Sequence, residues 1–298
     1  VKDDKFLRIF HSLRTKGYND IETKGEGKTP GFICKDENGD TCIVKTAAEQ
    51  GGRGVHEVIS EHIACNLGRK IFELAKAYGA PKGLSENNIP ETKLLELDGT
   101  AYVKSIFLPG FKHIHQVESA GKTKDKSKKK RAKIFSQTRM NKVIDRLDEE
   151  QKKELCWMLA FRHVIGDRDG HSENFGLMEN GNIGMIDLGL AAHNIGKKTF
   201  AEKDLFNKDL IFSQFNGEAS PNHLADYAKL YAHPEFKKAV EAMSKIFASQ
   251  EVEESIDASL AEARATCGDK AVQDYNKYWV GSEKNYLSYM QKELQKSK

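Results

Sequence analysis

The chain has 298 residues, of which 39% are hydrophobic and 31% charged, enough for one large domain or two lobes around a shared cleft. Its net charge of +3 is too small to specify a nucleic-acid partner by itself, and no run of apolar residues is long enough for a transmembrane helix. The five cysteines, at 34, 42, 65, 156 and 267, have no metal-ligand spacing and read as reduced thiols of a cytoplasmic protein.

The first element is a helix over about residues 4–16, from the spacing of Phe6, Leu7, Ile9, Phe10 and Leu13. The start lacks the apolar core of a signal peptide, and its opening on Val1 is expected of a piece of something longer. "GYNDIETKGEGKTPGF" is rich in turn residues, and its Gly25 and Gly27 could let backbone N–H groups approach a phosphate. A flexible turn explains those glycines equally well. "GFICKDENGDTCIVKTA" predicts a hairpin, with strands at Phe32 to Cys34 and Thr41 to Val44 around "DENGD". A helix over 55–76 follows, with Val58, Ile59, Ile63, Leu67, Ile71 and Leu74 on its apolar face. A second hairpin turns at Asp98-Gly99.

Beyond Pro109-Gly110 the composition changes. Residues 122–133 hold eight basic side chains and one acidic one. A helix is expected over about 148–165, with an acidic first turn and a buried stripe at Leu155, Met158, Leu159 and Ile165. Several helices are expected from residue 220 onward. The pattern predicts an α+β chain, with a small β-rich lobe over 1–110 and a larger, mainly helical lobe over 111–298.

The chemistry concentrates in "GDRDGHSENFGLMENGNIGMIDLG", residues 166–189. A hairpin turning near Asn180-Gly181 would return Asp187 beside Asn174. One carboxylate and one amide oxygen, both hard ligands, could then share a magnesium ion, leaving Asp169 as a base or positioning group. The alternative is two ordinary polar turns with no shared chemistry.

These residues resemble the catalytic loop and metal-binding motif of the protein-kinase superfamily. Asp167-Arg168-Asp169 stands where His-Arg-Asp usually stands, and Asp187-Leu188-Gly189 where Asp-Phe-Gly does. "DGHSEN" is similar to the HipA-like kinases, and "GDR" to the phosphatidylinositol kinases. The resemblance implies a bilobal kinase-like fold using ATP with magnesium or manganese. It implies Asp169 as catalytic base and Asn174 and Asp187 as metal ligands. It also calls for an upstream lysine on the nucleotide phosphates, for which Lys45 is the candidate, and a glutamate to pair with it. Glu57 is preferred over Glu61, one turn later, by comparison with the HipA-like kinases. The hinge is expected at 105–110, where adenine would meet backbone groups. No Ala-Pro-Glu element follows Asp187, a departure that favours an atypical kinase such as the compact effectors that intracellular bacteria deliver into host cells.

The acceptor expected first is a Ser or Thr hydroxyl of a protein, and the alternatives are a phosphoinositide or inositol kinase, a protein nucleotidyltransferase and a non-catalytic scaffold. Lys128, Lys129, Lys130 and Arg131 are either a solvated insert or a polyanion site for an inositol polyphosphate, a phosphoinositide or an anionic membrane. No aromatics interleave with these lysines, so nucleic acid is not the expected partner.

Overall fold

The computed structural model describes residues 2–24, 30–46, 54–114, 144–165, 167, 174–189, 229–230 and 232–278. Asp169, Gly25, Gly27, Lys128, Lys129, Lys130 and Arg131 lie outside the described residues.

The chain opens with α1 (Lys2–Thr15) and continues through β1 (Asn19–Thr23), β2 (Gly31–Lys35) and β3 (Thr41–Lys45). Next come α2 (Val55–Ala75) and the hairpin β4 (Thr92–Leu97) and β5 (Thr100–Ile106). These strands form one antiparallel sheet of order β1-β2-β3-β5-β4. The β4–β5 turn falls at Asp98 and Gly99, both with positive φ (49° and 70°), the backbone of a tight type I′ hairpin. At the β2–β3 turn, Asp36 Oδ1 accepts from the N–H groups of Asn38 and Asp40, and its other oxygen takes the Lys104 ammonium at 2.9 Å.

A second small sheet, β6 (Lys112–His113), β7 (Phe175–Leu177) and β8 (Ile183–Met185), lies beyond the junction. Among the described residues, the long helices that follow the first 110 residues are α3 (Glu149–Val164), α4 (Pro234–Ile246), α5 (Gln250–Cys267) and α6 (Asp269–Tyr278). α3 starts on a reciprocal cap, in which Asp148 Oδ1 accepts from Gln151 N–H and Gln151 Oε1 from Asp148 N–H. α4 has Pro234 in its first turn, where the missing N–H costs nothing. Ser249 caps α5 by accepting from Val252 N–H.

The α+β expectation holds: a β-rich N-terminal part is followed by a mainly helical one. Two cores result. The smaller lies between α1 and one sheet face, from Ile9, Leu13, Tyr18, Phe32, Cys34, Cys42, Val44 and Tyr102. The larger lies on the other face. It joins Ile59, Ile63 and Leu67 of α2 to Trp157 and Phe161 of α3, to Met185 and Leu188, and to Phe236 of α4. Full burial of such side chains contributes roughly 1.5–3 kcal/mol each, and α2 packs in one core with both the helical part and the sheet. Among the described residues, no helix is long and apolar enough to cross a membrane.

The turn-rich stretch 17–32 holds a strand that the sequence pattern does not name. The structure makes residues 19–23 the edge strand β1, in which only Ile21 is partly buried. An edge strand with both faces largely solvated carries no apolar alternation to announce it.

Candidate active site

Lys45 is the last residue of β3, opposite Val103 of β5. That register turns its side chain to the α2 face, where it is almost fully buried. Its Nζ lies 2.8 Å from Glu61 Oε2 and 3.0 Å from Asp187 Oδ1, a residue 142 positions away in the chain. Burial works against the ammonium, but the two carboxylates outweigh it and hold the Lys45 pKa above its ordinary value. The lysine is a fixed positive charge at neutral pH.

Glu61, not Glu57, is the carboxylate on Lys45, which corrects the sequence-based preference. The two are one turn apart on the same face of α2 and differ in depth. Glu61 is buried, and its Oε1 accepts from Ser105 Oγ on β5 at 3.2 Å. Glu57 sits in the first turn of α2, half-buried, alongside Gly189; a Cβ at Gly189 would come within 3.3 Å of Glu57 Cγ and 3.5 Å of Glu61 Oε2. Burial raises the pKa of Glu61, against the pull of Lys45.

The expected hairpin between Asn174 and Asp187 forms. Phe175 faces Met185, and Ile186 N–H donates to Asn174 O at 2.9 Å, so Asn174 stands across the ladder one residue from Asp187. Asn174 is buried, whereas the Asp187 side chain is 49% exposed. Asp187 has φ +58°, a left-handed backbone that costs an L-residue on the order of 1 kcal/mol. Neighbouring contacts over-determine it. Leu188 is buried in the large core, and Arg162 Nη2 reaches the carbonyl oxygens of Ile186 and, at 3.4 Å, Asp187.

Arg162 is a residue that sequence reasoning missed. It projects from α3, is buried, stacks over Phe175 at 5.1 Å and forms an ion pair with buried Asp167. It therefore ties the start of the 167–174 stretch to the backbone before Asp187. Breaking a buried pair from one side costs about 3–5 kcal/mol, which makes Arg162 a strong positioning group. The signal was present as an arginine in an apolar helical stripe.

Hard oxygen donors from Asp187 and Asn174 suit a magnesium ion. Among the described residues there is no cluster of three or more His, Cys, Asp or Glu side chains poised to hold a metal. A site built on these two residues would be completed by the nucleotide and water, as is usual for magnesium. At the junction, Phe107 is 43% exposed, Leu108 is buried, and Glu179 N–H donates to Pro109 O at 2.9 Å. The exposed Phe107 ring leaves an apolar surface at the junction.

A family model, that of the LepB N-terminal domain, matches residues 108–293, well over half of the chain. The chain belongs to the LepB N-terminal domain family. The matched residues take in Asn174, Asp187 and α3 to α6, while Lys45 and Glu61 precede them. None of the curated proteins matches the chain. Among solved structures, it is similar to a Helicobacter pylori proinflammatory kinase, CtkA, at 14% identity, with 91% of this chain and 95% of that chain covered and a TM-score of 0.43.

Proposed function

We propose that this protein is an ATP- and magnesium-dependent phosphotransferase. The observation that carries the reading is the buried Lys45 ammonium held between Glu61 and Asp187. A permanently charged lysine, fixed by a helix carboxylate beside a half-exposed aspartate, suits a site that orients polyphosphate. Phosphoryl transfer asks the protein chiefly for such positioning and charge stabilisation.

In this reading Lys45 steers the phosphates and Glu61 fixes its side chain. Asp187 and Asn174 would hold the magnesium ion, which supplies charge neutralisation on the phosphate oxygens. Asp169, by its place in the "DRDGHSEN" motif, would accept the proton of the attacking hydroxyl. The acceptor proposed is a protein Ser or Thr hydroxyl, and a phosphoinositide hydroxyl is the alternative. The basic residues Lys128 to Arg131 are proposed to recruit an anionic surface or an inositol polyphosphate.

The test uses ATP labelled at the γ- or the α-phosphate, with magnesium, offered a protein mixture or phosphoinositide vesicles, with and without an inositol polyphosphate. Transfer of γ-label is expected, falling at least a hundredfold in Lys45→Met and Asp187→Asn, since each removes a group worth ~3 kcal/mol or more in such a site. The labelled product identifies the acceptor. Transfer of α-label would assign nucleotidylation instead. ATP binding with no transfer would leave a non-catalytic scaffold.

A further inference from the structure

The row of residues that crosses the sheet at Lys45 contains a second lysine. Just beyond the end of β1, Lys24 N–H donates to Gly31 O at 2.9 Å, continuing the ladder in which Glu22 faces Ile33 and Thr23 faces Phe32. Gly31 in turn faces Lys45, Lys45 faces Val103, and Val103 faces Leu94. Directly opposed residues of a sheet stand on the same face. Lys24, Gly31 and Lys45 therefore form one line on the α2 face. With strands ~4.8 Å apart, the two lysine backbones are separated by about 10 Å.

The residue between them has no side chain, and none would fit. A Cβ on Gly31 would lie 2.8 Å from Val44 O and 3.1 Å from Lys45 Cβ. The glycine lets β2 lie close against Lys45, so no side chain stands in the row between the two lysines. Lys24 is half-buried, and its pKa is lowered, first by burial and then by the charge of Lys45, against the pull of Asp187, Glu61 and Glu57. The two lysines thus share one electrostatic neighbourhood with those carboxylates. A point anion can meet only one of two lysines so spaced. An anion whose charge is spread along a chain meets both.

We propose that Lys24 is a second polyphosphate-binding residue, holding across Gly31 the part of the phosphate chain that Lys45 does not reach. Identifying the chain as that of a nucleotide rests on the phosphotransferase reading; the pairing of the two lysines on a polyphosphate does not. Nothing in the sequence set Lys24 apart from the other lysines, because the pairing that puts it in line with Lys45 depends on the edge strand.

Calorimetric titration of the wild type, Lys24→Gln and Lys24→Arg with magnesium-ATP, AMP and inorganic tripolyphosphate tests the proposal. Lys24→Gln is expected to weaken ATP and tripolyphosphate roughly tenfold, the loss of one charge-assisted contact, and to leave AMP unchanged. Lys24→Arg is expected to recover most of the affinity. The unliganded Gln variant is expected to keep the wild-type far-UV circular dichroism, which separates lost binding from lost fold. Wild-type affinity for both polyphosphates in Lys24→Gln overturns the proposal and leaves the phosphotransferase reading standing. Tripolyphosphate binding that needs Lys24, with no binding of ATP, keeps the lysine pair and removes the nucleotide. A wild type that binds neither overturns both.

Discussion

Glu154 is a buried carboxylate outside the site, and its environment sets a pH dependence. Its Oε2 accepts from the backbone N–H of Ile183 on β8 at 2.7 Å, and a Cβ on Gly83 would fall 1.8 Å from its Oε1. Burial raises its pKa to about 7, aided by the nearby charges of Asp148 and Glu150, while the Ile183 hydrogen bond pulls it down. The unfolded chain has the ordinary value of 4.5. Between the two values the folded state holds a proton that the unfolded state has released. The stability from this group is therefore complete below about 4.5 and is lost as pH rises through about 7. Glu154→Gln keeps a carbonyl oxygen for Ile183 and removes the ionisation. Urea denaturation is expected to show the variant about 1–2 kcal/mol more stable than wild type at pH 8, with no gain at pH 4.5, after discounting the full shift for solvent screening. An equal difference at both pH values would mean that the proton is not the cause. The Lys45 partner shows where reading from sequence stops at this scale. Helical spacing made Glu57 and Glu61 equivalent, and only the docking of α2 under Ser105 separates them.

At the scale of elements, α2 carries Glu61, so whatever seats α2 also aims Lys45. The helix α5 lies along it and supplies two side-chain links. Asn66 Nδ2 donates to Ser259 Oγ at 3.1 Å, and the fully buried His62 places Nε2 3.3 Å from Glu262 Oε2. Glu262 Oε1 also accepts from Leu94 N–H, on the open edge of β4, at 3.2 Å. A single carboxylate thus covers a sheet edge and grips the helix residue next to Glu61. Its pKa is lowered, first by the His62 hydrogen bond. Glu262→Ala leaves Leu94 N–H and His62 without that acceptor and is expected to cost roughly 2 kcal/mol by chemical denaturation. Amide exchange along α2 is expected to accelerate, while α1 keeps its protection. Unaltered exchange in α2 would show that apolar packing alone seats the helix. The elements themselves were largely legible: α1, α2, α3 and the hairpins follow from periodicity and from turns such as Asp98-Gly99. Their docking was not. The bond between Asn66 and Ser259 spans 193 residues, and nothing local marks either partner. The strand β1 was missed for the opposite reason, because an edge strand of polar residues buries too little to leave a pattern.

For the whole molecule, the larger core decides how the two parts respond to ligand. It runs through α2, α3, α4, Met185 and Leu188 without a break at residue 110. The sheet bearing Lys45 and the backbone bearing Asp187 are thus joined by packed side chains as well as by one ion pair. A chain built around such a core is expected to unfold with its sheet and helices together. On the phosphotransferase proposal, a nucleotide held by Lys45 and Asp187 would contact both parts, so it should stabilise both equally. By mass action, magnesium-ATP at a hundred times its dissociation constant adds about 2.7 kcal/mol, a rise of several degrees in the melting temperature of a chain this size. The shift is expected to be the same by far-UV circular dichroism, which follows all the helices, and by tryptophan fluorescence, to which the buried Trp157 of α3 contributes. Chelating the magnesium should shrink it, and Lys45→Met should remove most of it. If the two probes moved apart on adding nucleotide, the ligand would be bridging parts that unfold separately. The shared core would then be weaker as a connection than its burial indicates.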